Sequence, residues 1–179
     1  MPKQNPIRRY PARKIRDFSD RLLDSRVAAL LGAEAAYGAF LVGSGDALFP
    51  IEAALSQAGA EAVLPDWPQR ARSGALREDL AEFGAEASAP VAAPLFLSRA
   101  SLYGALYMLE GSRLGAKALA QLHGARAGFW QSFLTRLEGD GAAREGVDGA
   151  VASARATFAA FGCAMERATN RLSAGRGNG

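Results

Sequence analysis

Apolar residues recur at intervals of three and four along most of this chain, alanine and leucine dominate, and β-branched residues are few. That pattern predicts helices almost throughout. A first helix is expected from Asp17 to about Leu31, with Asp17 or Ser19 as its N-cap and Gly32 at its end. A second runs from about Ala35 to Ala58, bent around Gly43, Gly45 and Pro50. Leu64-Pro65-Asp66-Trp67-Pro68 reads as a turn, and Gln69 to Phe83 as a helix with Arg and Glu on its outer face. Residues 84–97, with Pro90 and Pro94, form a loop. Ser98 or Ser101 then caps a long apolar helix ending near His123-Gly124. A shorter helix follows from Arg126 to Leu137, then a break at Gly139-Asp140-Gly141, then a last helix from Val147 to Leu172. No internal repeat or second domain boundary is visible. The expectation is a single all-α bundle of roughly six or seven helices over residues 17–172, with a basic arm (1–16) and a disordered Gly-rich tail (173–179).

Within the long apolar helix, Leu106-Tyr107-Met108-Leu109-Glu110-Gly111-Ser112-Arg113-Leu114-Gly115-Ala116 carries two glycines four residues apart. Glycine inside a helix costs about 1 kcal/mol relative to alanine, so a pair on one face calls for a reason. Residues i and i+4 lie one above the other, so Gly111 and Gly115 bare a strip of backbone. Such a strip accepts either a second helix at very short range or a flat ligand. Taken alone, the helix contact is the commoner use.

Composition narrows the chemistry. The chain has 179 residues, 49% of them hydrophobic and 22% charged, the balance of a soluble domain with its own core. No uninterrupted apolar run has the roughly 18 to 20 residues that cross a bilayer, so no membrane partner is expected. A single cysteine, Cys163, excludes an internal disulfide and suits a reducing cytoplasm. Lys3, Arg8, Arg9, Arg13, Lys14 and Arg16 precede the first acidic residue, Asp17, yet the net charge is only +3. A solvated tail explains that arm better than nucleic-acid binding does, since no basic surface interleaved with aromatics follows it. The sole histidine is His123. Histidine-based triads and multi-histidine zinc or di-iron sites therefore lack their residues, and there is no Cys-x-x-Cys, P-loop or Gly-x-Gly-x-x-Gly motif.

The run from Leu106 to Ala116 resembles the distal-helix motif of bacterial heme oxygenases, particularly those associated with bacteriophytochromes, which make biliverdin. Ala36-Tyr37-Gly38-Ala39-Phe40-Leu41 and Ala47-Leu48-Phe49-Pro50-Ile51-Glu52-Ala53-Ala54-Leu55 are similar to that family's second helix. Asp66-Trp67-Pro68 with Ala75-Leu76-Arg77-Glu78-Asp79-Leu80 resembles its third-helix region, and Ala154-Arg155-Ala156-Thr157-Phe158 its last helix. The resemblance covers about residues 15 to 170. It implies a heme-oxygenase-like bundle in which a porphyrin lies between a proximal and a distal helix. Gly111, Ser112, Gly115 and Ala116 would then face the heme, with Ala116 where many members have a further glycine. Ser112 stands where the animal enzymes have an acidic residue. By the same analogy Arg13, Lys14 and Arg16 meet the propionates, although a basic tail explains them equally well.

The proximal side departs from the pattern. Family members carry His-x-x-x-Asp in the first helix, its histidine holding the iron; here Asp24 fits the aspartate and the histidine position falls on Asp20. Heme iron is ordinarily held by His, Cys, Met or Tyr. A hard carboxylate favours ferric iron and works against ferrous oxygen binding. Asp20 can instead pair with Arg21, Arg16 or Lys14. His123, near the helix C-terminus, is a second candidate metal ligand, and also a suitable helix cap. Tyr37, Tyr103 and Tyr107 are expected in the core or lining the pocket. The sequence therefore reads as a heme-oxygenase-like protein that binds heme, another tetrapyrrole or a protein partner with little or no turnover. The alternative is an active enzyme converting heme to biliverdin, iron and carbon monoxide through an unusual iron ligand.

Overall fold

The computed structural model describes residues 33–120 and 127–176, and the side-chain surroundings of residues 35–112 and 128–174. The expected first helix, the basic arm, Asp20 and His123 lie outside them. Among the described residues there are eight helices and no strand: α1 Ala33–Gln57, α2 Ala60–Val63, α3 Trp67–Arg70, α4 Ser73–Phe83, α5 Arg99–Ala120, α6 Ala127–Gly139, α7 Gly141–Glu145 and α8 Val147–Arg176. The all-α architecture is as the periodicity predicts. Helices α2, α3 and α7 are single turns that connect the longer elements. The larger differences from expectation are that α8 continues to Arg176, that α3 begins at Trp67 within the expected turn, and that the expected helix from Gln69 to Phe83 is interrupted.

The bundle is organised by α1, α5 and α8, with α8 packed against both of the others. Ile51, Leu55, Leu64, Trp67, Leu106, Leu109 and Phe133 are fully or almost fully buried where these elements meet. At α1, the 23 residues Ala35–Gln57 are apolar and long enough to cross a membrane by length and composition, beyond what uninterrupted apolar runs alone suggested. Most of that stretch is buried inside the protein, and it carries two buried carboxylates, Asp46 and Glu52, which marks it as a core helix.

Pro50 in the interior of α1 has no N–H for the carbonyl of Asp46, four residues earlier. That freed carbonyl accepts the Val91 amide at 3.0 Å. The Asp46 carboxylate accepts from Ala89 N at 2.9 Å and from Arg171 of α8 at 2.5 Å. The freed carbonyl and the carboxylate of Asp46 thus tie the loop of residues 85–97 to α1, and the carboxylate ties α1 to α8.

The interruption between α3 and α4 has a similar non-local cause. Glu52 of α1 accepts the backbone amides of Arg72, at 2.8 and 3.0 Å, and Ser73, at 2.9 Å, together with the Ser73 hydroxyl at 2.6 Å. These are orphan donors of a helix N-terminus, so the carboxylate starts a new helix where sequence periodicity alone continues the old one. At α5, Ser98 and Ser101 share the capping: each backbone N–H donates to the other's hydroxyl, at 3.0 and 3.1 Å. Asp140 separates α6 from α7 and caps α7 through Ala142 N at 2.9 Å.

Candidate functional site: the glycine face of helix α5

Gly104, Gly111 and Gly115 all lie on α5, and seven residues is two turns, so Gly104 and Gly111 share one face. Their surroundings differ. A Cβ built on Gly104 would lie 1.9 Å from the Ala150 carbonyl oxygen and 2.9 Å from its Cα. Gly104 is therefore where α5 and α8 cross backbone to backbone. Ser153 of α8 reinforces that crossing by donating to the Ser101 carbonyl at 2.7 Å. At Gly111, the nearest atom to such a Cβ among the described residues is Trp130 Cζ3, at 4.0 Å. That is an ordinary contact, so no described residue crowds an added methyl there.

Two aromatic rings border Gly111. Tyr107, one turn earlier and 48% exposed, lies with its ring 5.4 Å from that of Trp130 of α6, centroid to centroid. Trp130 packs in turn on Phe133 at 5.9 Å, whose ring is fully buried. A backbone strip beside two tilted rings presents an apolar surface with an aromatic wall. Such a surface suits a flat hydrophobic molecule.

Polar groups frame the other flank. Ser112 is exposed; its hydroxyl donates to the Leu109 carbonyl at 2.7 Å and accepts from Arg72 Nη1 at 3.3 Å. With its proton committed to its own helix, Ser112 orients the Arg72 guanidinium at the edge of the strip. Directly below, Glu110 is buried and pairs with Arg70, which is fully buried. This corrects the expectation of an outward face for Arg70, whereas Arg77, Glu78 and Glu82 are exposed as expected. Arg70 Nη1 donates to Glu110 Oε2 at 3.0 Å and to the Phe129 carbonyl at 2.8 Å. Its Nη2 donates to Asp66 Oδ2 and to Ser132 Oγ, both at 2.7 Å. Desolvation would raise the Asp66 carboxyl, but the Arg70 hydrogen bond and charge outweigh it and hold that group below the usual carboxylate range.

Of the site residues expected from sequence, Gly111 and Ser112 sit together at this face. Gly115 and Ala116 continue α5, but their surroundings lie outside the described residues, as do Asp20, His123, Arg13, Lys14 and Arg16. Tyr37 is half-buried, its ring edge-on against Phe83 at 5.7 Å. Burial raises its pKa, with Asp79 and Glu82 adding to the shift. Tyr103 is buried and donates to Asp140 at 3.0 Å, so its hydroxyl serves the α5–α7 junction. Arg70 and Trp130 were not singled out from the sequence. The signal for Arg70 was Glu110 itself, a carboxylate within an otherwise apolar helical run that demands a buried cation.

No family model matches this sequence, and no solved structure matches it. A heme oxygenase of Xanthomonas campestris pv. campestris (strain 8004) is 43% identical to it over 56 residues, which is 31% of this chain and 33% of that protein. The matched stretch thus spans about a third of each.

Proposed function

We propose that this chain is a heme-oxygenase-like protein whose α5 glycine face takes heme or a related tetrapyrrole, with little or no turnover of its own. The observation that carries the reading is the contrast on one helix face. Gly104 is needed for helix packing, whereas Gly111 lies 4.0 Å from an indole edge, where an alanine meets no closer atom among the described residues. A helix gives up about 1 kcal/mol per glycine, and a flat ligand against the main chain supplies a reason at Gly111 that packing against the described residues does not. The partial identity to a heme oxygenase supports the choice of ligand.

The described residues suit one face of a porphyrin. Gly111 offers backbone without a side chain, Trp130 and Tyr107 offer ring edges, and Arg72 offers a cation beside Ser112. Heme would bring redox-active iron to this face. The residues here would cover the macrocycle and limit water on that side. Among the described residues the Ser112 hydroxyl proton is engaged by Leu109 O, while Arg72 and the exposed Tyr107 bring further donors to the edge of this face. The low turnover rests on Asp20, the residue at the position where the resemblance calls for an iron-binding histidine.

Titrating hemin into the wild type and into Asp20→His, and following the Soret band, tests both parts. The expected result is weak uptake by the wild type and a sharper, more intense band in Asp20→His. Release of biliverdin by the wild type in the presence of a reductant would remove the low-turnover half. Failure of both proteins to take up hemin would remove the tetrapyrrole reading altogether.

A further inference from the structure

Arg70 stands at the junction of three helices around the glycine face. It belongs to α3, its Glu110 partner immediately precedes Gly111 on α5, and its other acceptors, Phe129 O and Ser132 Oγ, flank Trp130 on α6. Both protons of Nη1 and both of Nη2 are engaged, with Asp66 Oδ2 taking the fourth. The guanidinium carbon also lies 4.6 Å from the centre of the Phe129 ring. A planar five-donor fork with this many fixed acceptors defines positions in a way that a lysine point charge does not.

The geometry points to Arg70 as the positioning residue for the aromatic wall of the site: by gripping Glu110 on one side and the turn carrying Trp130 on the other, it fixes the gap between the Gly111 backbone and the indole. This goes beyond the tetrapyrrole reading by assigning the width of the slot to a residue that touches no ligand. Its ligand-binding half rests on that reading; its positional half does not. The chemistry of the cluster supports a positional role over a purely stabilising one. A buried ion pair replaced by apolar side chains of similar size is often neutral or better for stability. A fully buried Arg–Glu pair beside a candidate site is therefore not explained by stability alone.

The test follows from that asymmetry. Arg70→Met combined with Glu110→Met removes both buried charges at once and keeps Asp66, whose side chain is 31% exposed. That double variant is expected to fold with a urea midpoint near that of the wild type. Its 5-fluorotryptophan spectrum reads the position of the wall without any ligand. The chain has two tryptophans, Trp67 and Trp130, and Trp130→Phe identifies the second resonance. The Trp130 resonance is expected to shift or broaden in the double variant. An unmoved, sharp Trp130 resonance would overturn the positional assignment, whatever hemin does.

Hemin titrations give the second readout. Trp130→Ala and the Arg70/Glu110 double variant are each expected to weaken binding about tenfold. Combining them should add less than about twofold, because coupled residues act as one. Fully multiplicative losses would mean that Arg70 does not act through Trp130, and would overturn the ligand-binding half. If the wild type takes up no hemin, the tetrapyrrole reading falls and this half with it, while the fluorine spectrum still decides whether Arg70 places Trp130.

Discussion

Two glycines two turns apart on one face of α5 have opposite environments. Gly104 is pressed against the backbone of α8, where an added methyl would sit 1.9 Å from Ala150 O. Gly111 has Trp130 at 4.0 Å as its nearest neighbour among the described residues, a distance that alanine tolerates. The first position explains itself by packing, since only hydrogen fits between the two main chains. The second is not explained by packing against the described residues, so its meaning lies with whatever covers that face. Small residues along a helix are thus not a single signal; each is read by what approaches it.

Substitutions can break or sharpen this contrast. The largest loss is expected beside Gly111 rather than at it. Arg70→Met alone removes the cation that pairs with the buried Glu110 carboxylate and should reduce unfolding free energy by about 3–5 kcal/mol, measured by urea titration. Restoring most of that loss by adding Glu110→Met would show that the pair itself contributes little net stability. Next comes Gly104→Ala. Its methyl meets backbone that cannot rotate away, so a loss of about 3 kcal/mol, the upper end for overpacking, is expected. A nearly neutral Gly104→Ala would refute the backbone crossing of α5 and α8.

Gly111→Ala should change stability by no more than about 1 kcal/mol, and toward greater stability, because alanine is the better helix former. A loss as large as that of Gly104→Ala would mean that Gly111 is a packing glycine after all. The smallest effect concerns Asp66 under the Gly111 flank. Its folded pKa lies below the ordinary value, so its contribution is present above the ordinary carboxylate range and fades as pH falls through the folded value. Urea midpoints between pH 7 and pH 3 should therefore fall less steeply in Asp66→Asn than in the wild type.

The long helices were legible in the sequence because local periodicity is enough to set them. Ala35–Ala58 was expected and Ala33–Gln57 is found; Arg126–Leu137 was expected and Ala127–Gly139 is found. The break at Ala71–Arg72 was not legible, since its cause is Glu52 on another helix, 20 residues earlier. Arg70 was misplaced for the same reason. In an isolated amphipathic pattern an arginine belongs outside, and the partner that draws it in, Glu110, is 40 residues away. At the site, Gly111 stood out because glycine conflicts with helix propensity, whereas Trp130 conflicts with nothing in its own helix. Gly104 carried the same local conflict as Gly111, and only the approach of α8 distinguishes them. The expected first helix, with Asp20, lies outside the described residues.

The most direct test of the division between the two glycines is hemin binding to Gly111→Leu, followed by the Soret band alongside a urea unfolding curve. If the strip is a ligand face, the variant should stay folded with near wild-type stability and bind hemin at least about tenfold more weakly than the wild type, a difference of about 1.4 kcal/mol. Unchanged hemin affinity in a folded Gly111→Leu protein would contradict it.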